Sequence, residues 1–143
     1  MFESILVVCT GNICRSPIAE RLLLKAMPTK NISSAGVAAL VGKSVDSSAI
    51  QIAEKHGLSL ADHVGVQFTS DLARKYSLIL TMEYHQLRLI SRKYPEASGK
   101  TMLLGHWIGE REIPDPYRKS EEAFEAVYQL IHQACLQWVE KLG

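Results

Sequence analysis

The chain is poor in cysteine, in net charge and in long apolar runs. Three cysteines, Cys9, Cys14 and Cys135, in 143 residues are not the disulfide framework of a small secreted domain. Four residues separate Cys9 from Cys14, and no second pair or histidine cluster completes a zinc site. Free thiols suit a reducing compartment. A formal net charge of +1 excludes a broad basic face for nucleic acid and an acidic tail. No stretch is long enough to cross a bilayer. The N-terminus lacks the basic segment, apolar run and small-residue cleavage site of a secretion signal. Repeats, linkers and low-complexity segments are missing too. The expectation is a cytoplasmic protein of one domain, residues 1–143, with 47% hydrophobic residues for its core.

What is present alternates between two kinds of segment. Residues 5–8 are a continuous aliphatic run, which predicts a strand buried on both faces. Residues 16–27 predict a helix with Pro17 at its first position and Ile18, Ala19, Leu22, Leu23 and Ala26 facing inward. A second strand is predicted over 31–35, closed by Gly36, and then a loop, "VAALVGKSVD". A helix over 47–56 stops at Gly57, and one or two helical turns follow over 69–74. Residues 77–81 read as a strand, 83–93 as a helix ended before Pro95, and 101–104 as a fourth strand. "GHWIGEREIPDPYRKS" is a long loop. In the last helix, over 120–142, Phe124, Val127, Ile131, Cys135, Trp138 and Leu142 recur at helical spacing. This alternation predicts an α/β fold, a parallel sheet with helices on both faces. Ligands then bind beyond the carboxyl ends of the strands, near a switch in strand order. The stretch after the first strand and the loop holding Asp115 both lie at such ends.

The first of these reads Cys9-Thr10-Gly11-Asn12-Ile13-Cys14-Arg15-Ser16. Backbone N–H groups of a tight loop can converge on an anion, and the following helix adds its positive end. Gly11 permits positive φ, and Asn12 tolerates it better than most residues. The planar fork of Arg15 matches two phosphate oxygens. Thiols set beside a helix N-terminus and a guanidinium favour the thiolate, the nucleophilic form. Ser16 is placed to donate to that sulfur. The C-x5-R-S spacing differs from G-x-x-x-x-G-K-[ST], which disfavours nucleotide cradling. The pattern points to a nucleophilic Cys9 beneath a phosphate-sized cradle. Cys14, in the same loop, is a candidate for a reversible disulfide with an oxidised Cys9, and Cys135 belongs to the apolar face of the last helix.

"VCTGNICRSPIAE" resembles the active-site signature of low-molecular-weight protein tyrosine phosphatases. With "SAG", "DPY" and the terminal helix, the resemblance spans nearly the whole chain. It implies a three-layer sandwich around a four-stranded parallel sheet of order 2-1-3-4. It implies phosphotyrosine hydrolysis through a cysteinyl phosphate, with Asp115 of the D-P motif as general acid and no metal or other cofactor. By motif position Asn12, Ser16, Ser34 and His63 form the network that holds the loop, although Ser34 and His63 carry no signal alone. Leu40 falls where many relatives place an aromatic cleft wall, and Tyr117 is a candidate for the other wall. Eukaryotic relatives often carry a second tyrosine where this chain has Arg118. The resemblance is closest to bacterial members that work beside tyrosine autokinases in exopolysaccharide or capsule production. It implies a monomer whose partner is a phosphotyrosine-containing protein such as that kinase.

Two further functions are compatible with a cysteine and an oxyanion loop. An arsenate reductase needs a resolving-thiol route, and "SLILTMEYHQLRL" lacks the cysteine pair that many of them carry after the third strand. A phosphoprotein-binding module without turnover is at odds with an intact Cys9, Arg15 and Asp115.

Overall fold

In the computed structural model, which describes residues 2–143, the first apolar run forms strand β1 (Ser4–Cys9). Successive side chains of a strand point to opposite faces. Ile5, Val7 and Cys9 accordingly enter one core, and Leu6 and Val8 enter another. A strand with an unbroken apolar run, here residues 5–9, belongs in the interior of a sheet. β1 is flanked by β2 (Asn31–Gly36) and β3 (Leu78–Thr81), with β4 (Thr101–Leu103) beyond β3. All pairings are parallel, and the order β2-β1-β3-β4 is the expected one.

The two cores follow from that period of two. On the Ile5 and Val7 face lie α1 (Arg15–Ala26), α2 (Ser47–Lys55) and α5 (Glu121–Leu142), through Ile18, Leu23, Ile52, Phe124, Ile131 and Trp138. On the Leu6 and Val8 face lie α3 (Ser70–Lys75) and α4 (Tyr84–Lys93), through Ala73, Ile90 and the adjoining Phe68 and Tyr76. Burying each isoleucine, leucine or phenylalanine among them contributes about 1.5–3 kcal/mol relative to leaving it exposed. Side chains cap the helices where the sequence offers them: Asp46 accepts from Ser48 and Ala49 N–H, Thr69 from Leu72 N–H, and Ser120 from Ala123 N–H. No helix among the described residues is long and apolar enough to cross a membrane.

Two expectations need correction. Helix α1 begins at Arg15, so Pro17 occupies its third position rather than its first. Its N-cap residue, Cys14, makes no side-chain cap, and the Ser16 hydroxyl is engaged elsewhere. The amides of this helix end are thus left for another acceptor. The regions around β4 also hold more structure than foreseen. Residues Pro95–Lys100 and Leu104–Ile108 form 3-10 turns, and the strand ends at Leu103. The indole N–H of Trp138 donates to Leu104 O at 2.7 Å, which pins the second turn to α5. The chain then doubles back through Arg111 N–H to Gly105 O at 3.0 Å. The Ile113 N–H meets Met82 O at 2.9 Å, just past β3. That return carries Asp115 to the end of β1.

Candidate active site

The sheet reverses its strand order between β1 and β3, and the site lies at the carboxyl ends of those strands. Every carbonyl from Cys9 to Ile13 is engaged on the outside of the loop. Cys9 O accepts from Val37 N–H at 3.0 Å, Thr10 O from Ala38 N–H at 3.0 Å, Gly11 O from Leu40 N–H at 3.0 Å, and Ile13 O from Asp46 N–H at 2.8 Å. Asn12 O lies 2.8 Å from His63 Nε2. A carbonyl can only accept, so His63 carries its proton on Nε2. Across a planar trans peptide the next N–H points the opposite way. The amides of Thr10 to Cys14 are therefore turned inward, and the Asn12 N–H reaches Cys9 Sγ at 3.3 Å.

The positive φ falls on Asn12, at 60°, and not on Gly11. Asparagine tolerates this region better than other side chains, and here it also uses both ends of its amide. Val66 N–H donates to Asn12 Oδ1 at 2.9 Å, which fixes the orientation of the amide. Asn12 Nδ2 then donates to Ser34 Oγ at 3.0 Å and to Ser16 Oγ at 2.8 Å. Ser34 donates to the buried carboxylate of Glu20 at 2.7 Å. Ser16 Oγ, which accepts from Asn12, lies 2.9 Å from Cys9 Sγ, and its own hydrogen is free to turn to a thiolate there. The direction of this chain is set at its two ends, by the Val66 amide and the Glu20 carboxylate. Ser34 and His63, which alone read as surface residues, are buried within it.

Arg15 is 2% exposed. Its Nη1 donates to Glu83 Oε1 at 2.5 Å and to Ile113 O at 2.8 Å, and its Nη2 lies 3.8 Å from Asp115 Oδ2. Gln86, in the first turn of α4, accepts from the N–H groups of Met82 and Glu83 and donates to Thr10 Oγ1 at 3.0 Å. One helix start therefore holds both the guanidinium and the loop. The Asp115 side chain is half exposed, and its Oδ1 accepts from Tyr117 N–H at 3.0 Å. A pocket of about 220 Å³ opens over the loop. Cys9, Thr10, Gly11, Ile13, Cys14 and Arg15 line it from the loop, Ala38 and Leu40 from the segment after β2, and Asp115 and Tyr117 from the segment after β4. Every sequence-derived site residue thus lies in the pocket or in the network behind it.

Burial, above all, pushes the Cys14 thiol up from its ordinary range. The nearby Cys9, Asp115 and Asp46 act in the same direction and Arg15 opposes them. No group of three or more His, Cys, Asp or Glu among the described residues is placed to hold a metal ion. The sequence reading missed Glu20, Glu83 and Gln86. The E-x-x-Q spacing from Glu83 to Gln86 marks a helix start. Glu20, four residues after Ser16, shares its helix face.

The profile of the family described as low molecular weight phosphotyrosine protein phosphatase matches residues 4–143. The chain belongs to this family. It is a protein-tyrosine-phosphatase of the bacterial type, and its relatives are close. The low molecular weight protein-tyrosine-phosphatase Wzb of Salmonella typhimurium strain LT2 is 53% identical over 143 residues, covering 100% of this chain and 96% of Wzb. The crystal structure of the tyrosine phosphatase Wzb from Escherichia coli K30 in complex with sulphate is 64% identical, with a TM-score of 0.98 and 100% of both chains covered. A more distant fold relative, the YwlE arginine phosphatase from Geobacillus stearothermophilus, is 30% identical with a TM-score of 0.92, covering 99% of this chain and 93% of YwlE.

Proposed function

We propose that the enzyme hydrolyses phosphotyrosine in two steps through a cysteinyl phosphate. The observation that carries this reading is the loop with its carbonyls turned out and its amides turned in, over a sulfur that accepts from the Asn12 N–H and lies 2.9 Å from Ser16 Oγ. Cys9 Sγ attacks phosphorus in line while the bond to the tyrosine oxygen breaks. Arg15 and the amides of residues 10–14 bind the equatorial oxygens. Asp115 gives its proton to the departing phenolate. Water then attacks the cysteinyl phosphate, with Asp115 taking its proton. Sulfur leaves as a thiolate, stabilised by the Ser16 hydroxyl and the Asn12 amide.

The walls support an aryl substrate. Ile13, Ala38, Leu40 and Tyr117 present aliphatic and aromatic surface to a phenyl ring. Among the described residues lining the pocket Asp115 is the one carboxylate, so no second acid stands there to pair with a phosphorylated guanidinium. Cys135 lies in the core against Ala19 O, remote from the role of a resolving thiol in arsenate reduction. Cys14 supplies instead the thiol that condenses with a Cys9 sulfenic acid, releasing water and forming a protective disulfide.

The physiological substrate in this reading is a bacterial tyrosine autokinase that controls exopolysaccharide or capsule production, met in the cytoplasm by a monomeric phosphatase. One experiment tests the reaction and the target. Phosphate release is measured without metal from phosphotyrosyl and phosphoarginyl peptides for the wild type and Cys9→Ser, and proteins held by Cys9→Ser in cells are identified. Turnover of phosphotyrosine by the wild type alone, and capture of such a kinase, are expected. A wild type inert toward phosphotyrosine overturns the reaction, and capture of unrelated proteins overturns the target.

A further inference from the structure

The turn that supplies the Tyr117 wall also carries a cation that the chemistry above does not use. Lys119 N–H donates to Pro116 O at 2.9 Å, closing the turn, while Asp115 Oδ1 holds Tyr117 N–H at 3.0 Å. Arg118 sits in it at φ 61°, a left-handed conformation that residues with a Cβ enter only at a cost. Its guanidinium carbon stands 5.3 Å from the centroid of the Tyr117 ring, within the range of a cation–π contact. Tyr117 lines the pocket, so this charge stands on its rim. Arg15 and Arg21 pair with Glu83 and Glu20. Arg118 has no carboxylate partner among the described residues. Asp115 and Glu121 both lie three residues from it in sequence; Asp115 is directed at the Tyr117 amide and at Arg15, and neither acid forms an ion pair with Arg118.

A tyrosine ring held between Leu40 and Tyr117 leaves its own backbone at the mouth of the pocket. The residues on either side of it then cross the rim, within reach of a long arginine side chain. Resting on the phosphotyrosine reading, we propose that Arg118 recognises a negative charge flanking the phosphotyrosine, and so selects among phosphotyrosines that the pocket alone treats alike. A carboxylate and a second phosphate share the required chemistry. A guanidinium binds either through parallel N–H···O bonds, the phosphate with more charge.

The test is a cycle of kcat/KM values across two enzymes and three phosphotyrosyl peptides. The enzymes are wild type and Arg118→Gln. The peptides carry alanine, glutamate or a second phosphotyrosine beside the target. An exposed ion pair of this kind is worth up to about fivefold. The wild type is expected to prefer the glutamate peptide about two- to fivefold over alanine at low salt, and the doubly phosphorylated peptide by more. The preference shrinks at high salt and disappears in Arg118→Gln, while the alanine peptide is turned over at an unchanged rate. A third enzyme, Arg118→Glu, is expected to prefer a fourth, lysine-flanked peptide instead. A gain with one anion and not the other identifies the source. A preference of equal size in wild type and Arg118→Gln overturns the proposal, as does an equal loss on all three peptides, which would mean that Arg118 only steadies Tyr117. A wild type that turns over none of the peptides fails the phosphatase reading itself, a result distinct from turnover without preference.

Discussion

Glu83 Oε1 lies 2.5 Å from Nη1 of Arg15, and the same nitrogen donates to Ile113 O at 2.8 Å. One acceptor follows β3 and the other precedes Asp115, so the guanidinium is oriented by two segments that the sequence keeps far apart. Glu83→Ala removes the charged acceptor from an arginine that is 2% exposed. A misplacement of about 1 Å can cost on the order of 10²-fold in rate. The expected result is a fall of about 10–100-fold in kcat/KM for aryl phosphate, with inhibition by inorganic phosphate weakened in parallel. Glu83→Gln, which still accepts a hydrogen bond, falls less. Wild-type kinetics in Glu83→Ala would show that Ile113 O suffices.

Asn12 serves through both its backbone and its side chain, and two substitutions separate them. Asn12→Gly keeps φ 60° accessible and deletes the side-chain bonds; Asn12→Ala deletes the bonds and adds strain. Stranding a buried donor or acceptor costs about 1–3 kcal/mol. Both variants are expected to lose stability and turnover, with the alanine variant melting lower. Thermal melts and kcat values check the order. Equal melting temperatures would deny the backbone contribution.

Gly36 closes β2 directly under the loop. A Cβ there would stand 2.4 Å from Thr10 O and 3.0 Å from Asn12 N. Gly36→Ala is therefore expected to displace the loop and abolish turnover, or to prevent folding. Gly99 has nothing within 4 Å of the same position and no positive φ. Gly99→Ala is expected to keep full activity and a melting temperature at or above wild type. Comparable losses in the two variants would mean that the close approach at Gly36 is unimportant.

Asp115→Asn keeps the side chain's shape and removes the transferable proton. General acids contribute typically ~10²–10⁴-fold. The loss is expected to be largest for aryl phosphates with poor leaving groups and small for activated ones. A plot of log kcat/KM against leaving-group pKa reads it, and a slope unchanged from wild type argues against the acid role.

Burial holds the Cys14 thiol protonated well above the ordinary range. Such a shift favours the fold below the ordinary thiol value, and the advantage is lost as pH rises above it. Closing a Cys9–Cys14 bridge needs the Cys14 thiolate to attack a sulfenic sulfur. Bridge formation after mild peroxide is therefore expected to accelerate from pH 6 to pH 9, by up to about tenfold per unit. Mass spectrometry of quenched samples measures it. A rate flat in pH would mean that Cys14 does not react as the buried thiol seen here.

The parts of this site that chemistry dictates by side-chain type were legible in advance. Cys9, Arg15 and Ser16 announce themselves by spacing, and β1 by an apolar run that only an interior strand can bury. Glu83 was not legible, because a glutamate at a helix start is ordinary and its partner lies elsewhere in the chain. The two 3-10 turns were missed because single turns leave too short a period to read. Gly11 and Asn12 both tolerate positive φ, and sequence could not choose between them. Among the outward bonds of the loop only the His63 side chain was placed there in advance, by motif position; the others left no trace, since their donors are the backbone amides of Val37, Ala38, Leu40 and Asp46.

That last fact divides labour within single residues. Ala38 and Leu40 clamp the loop of residues 9–14 with their N–H groups and line the pocket with their side chains. Every amino acid except proline supplies the first, and each supplies the second differently. The rim of this enzyme is therefore free to diversify toward new phosphoproteins while the machinery beneath it stays the same.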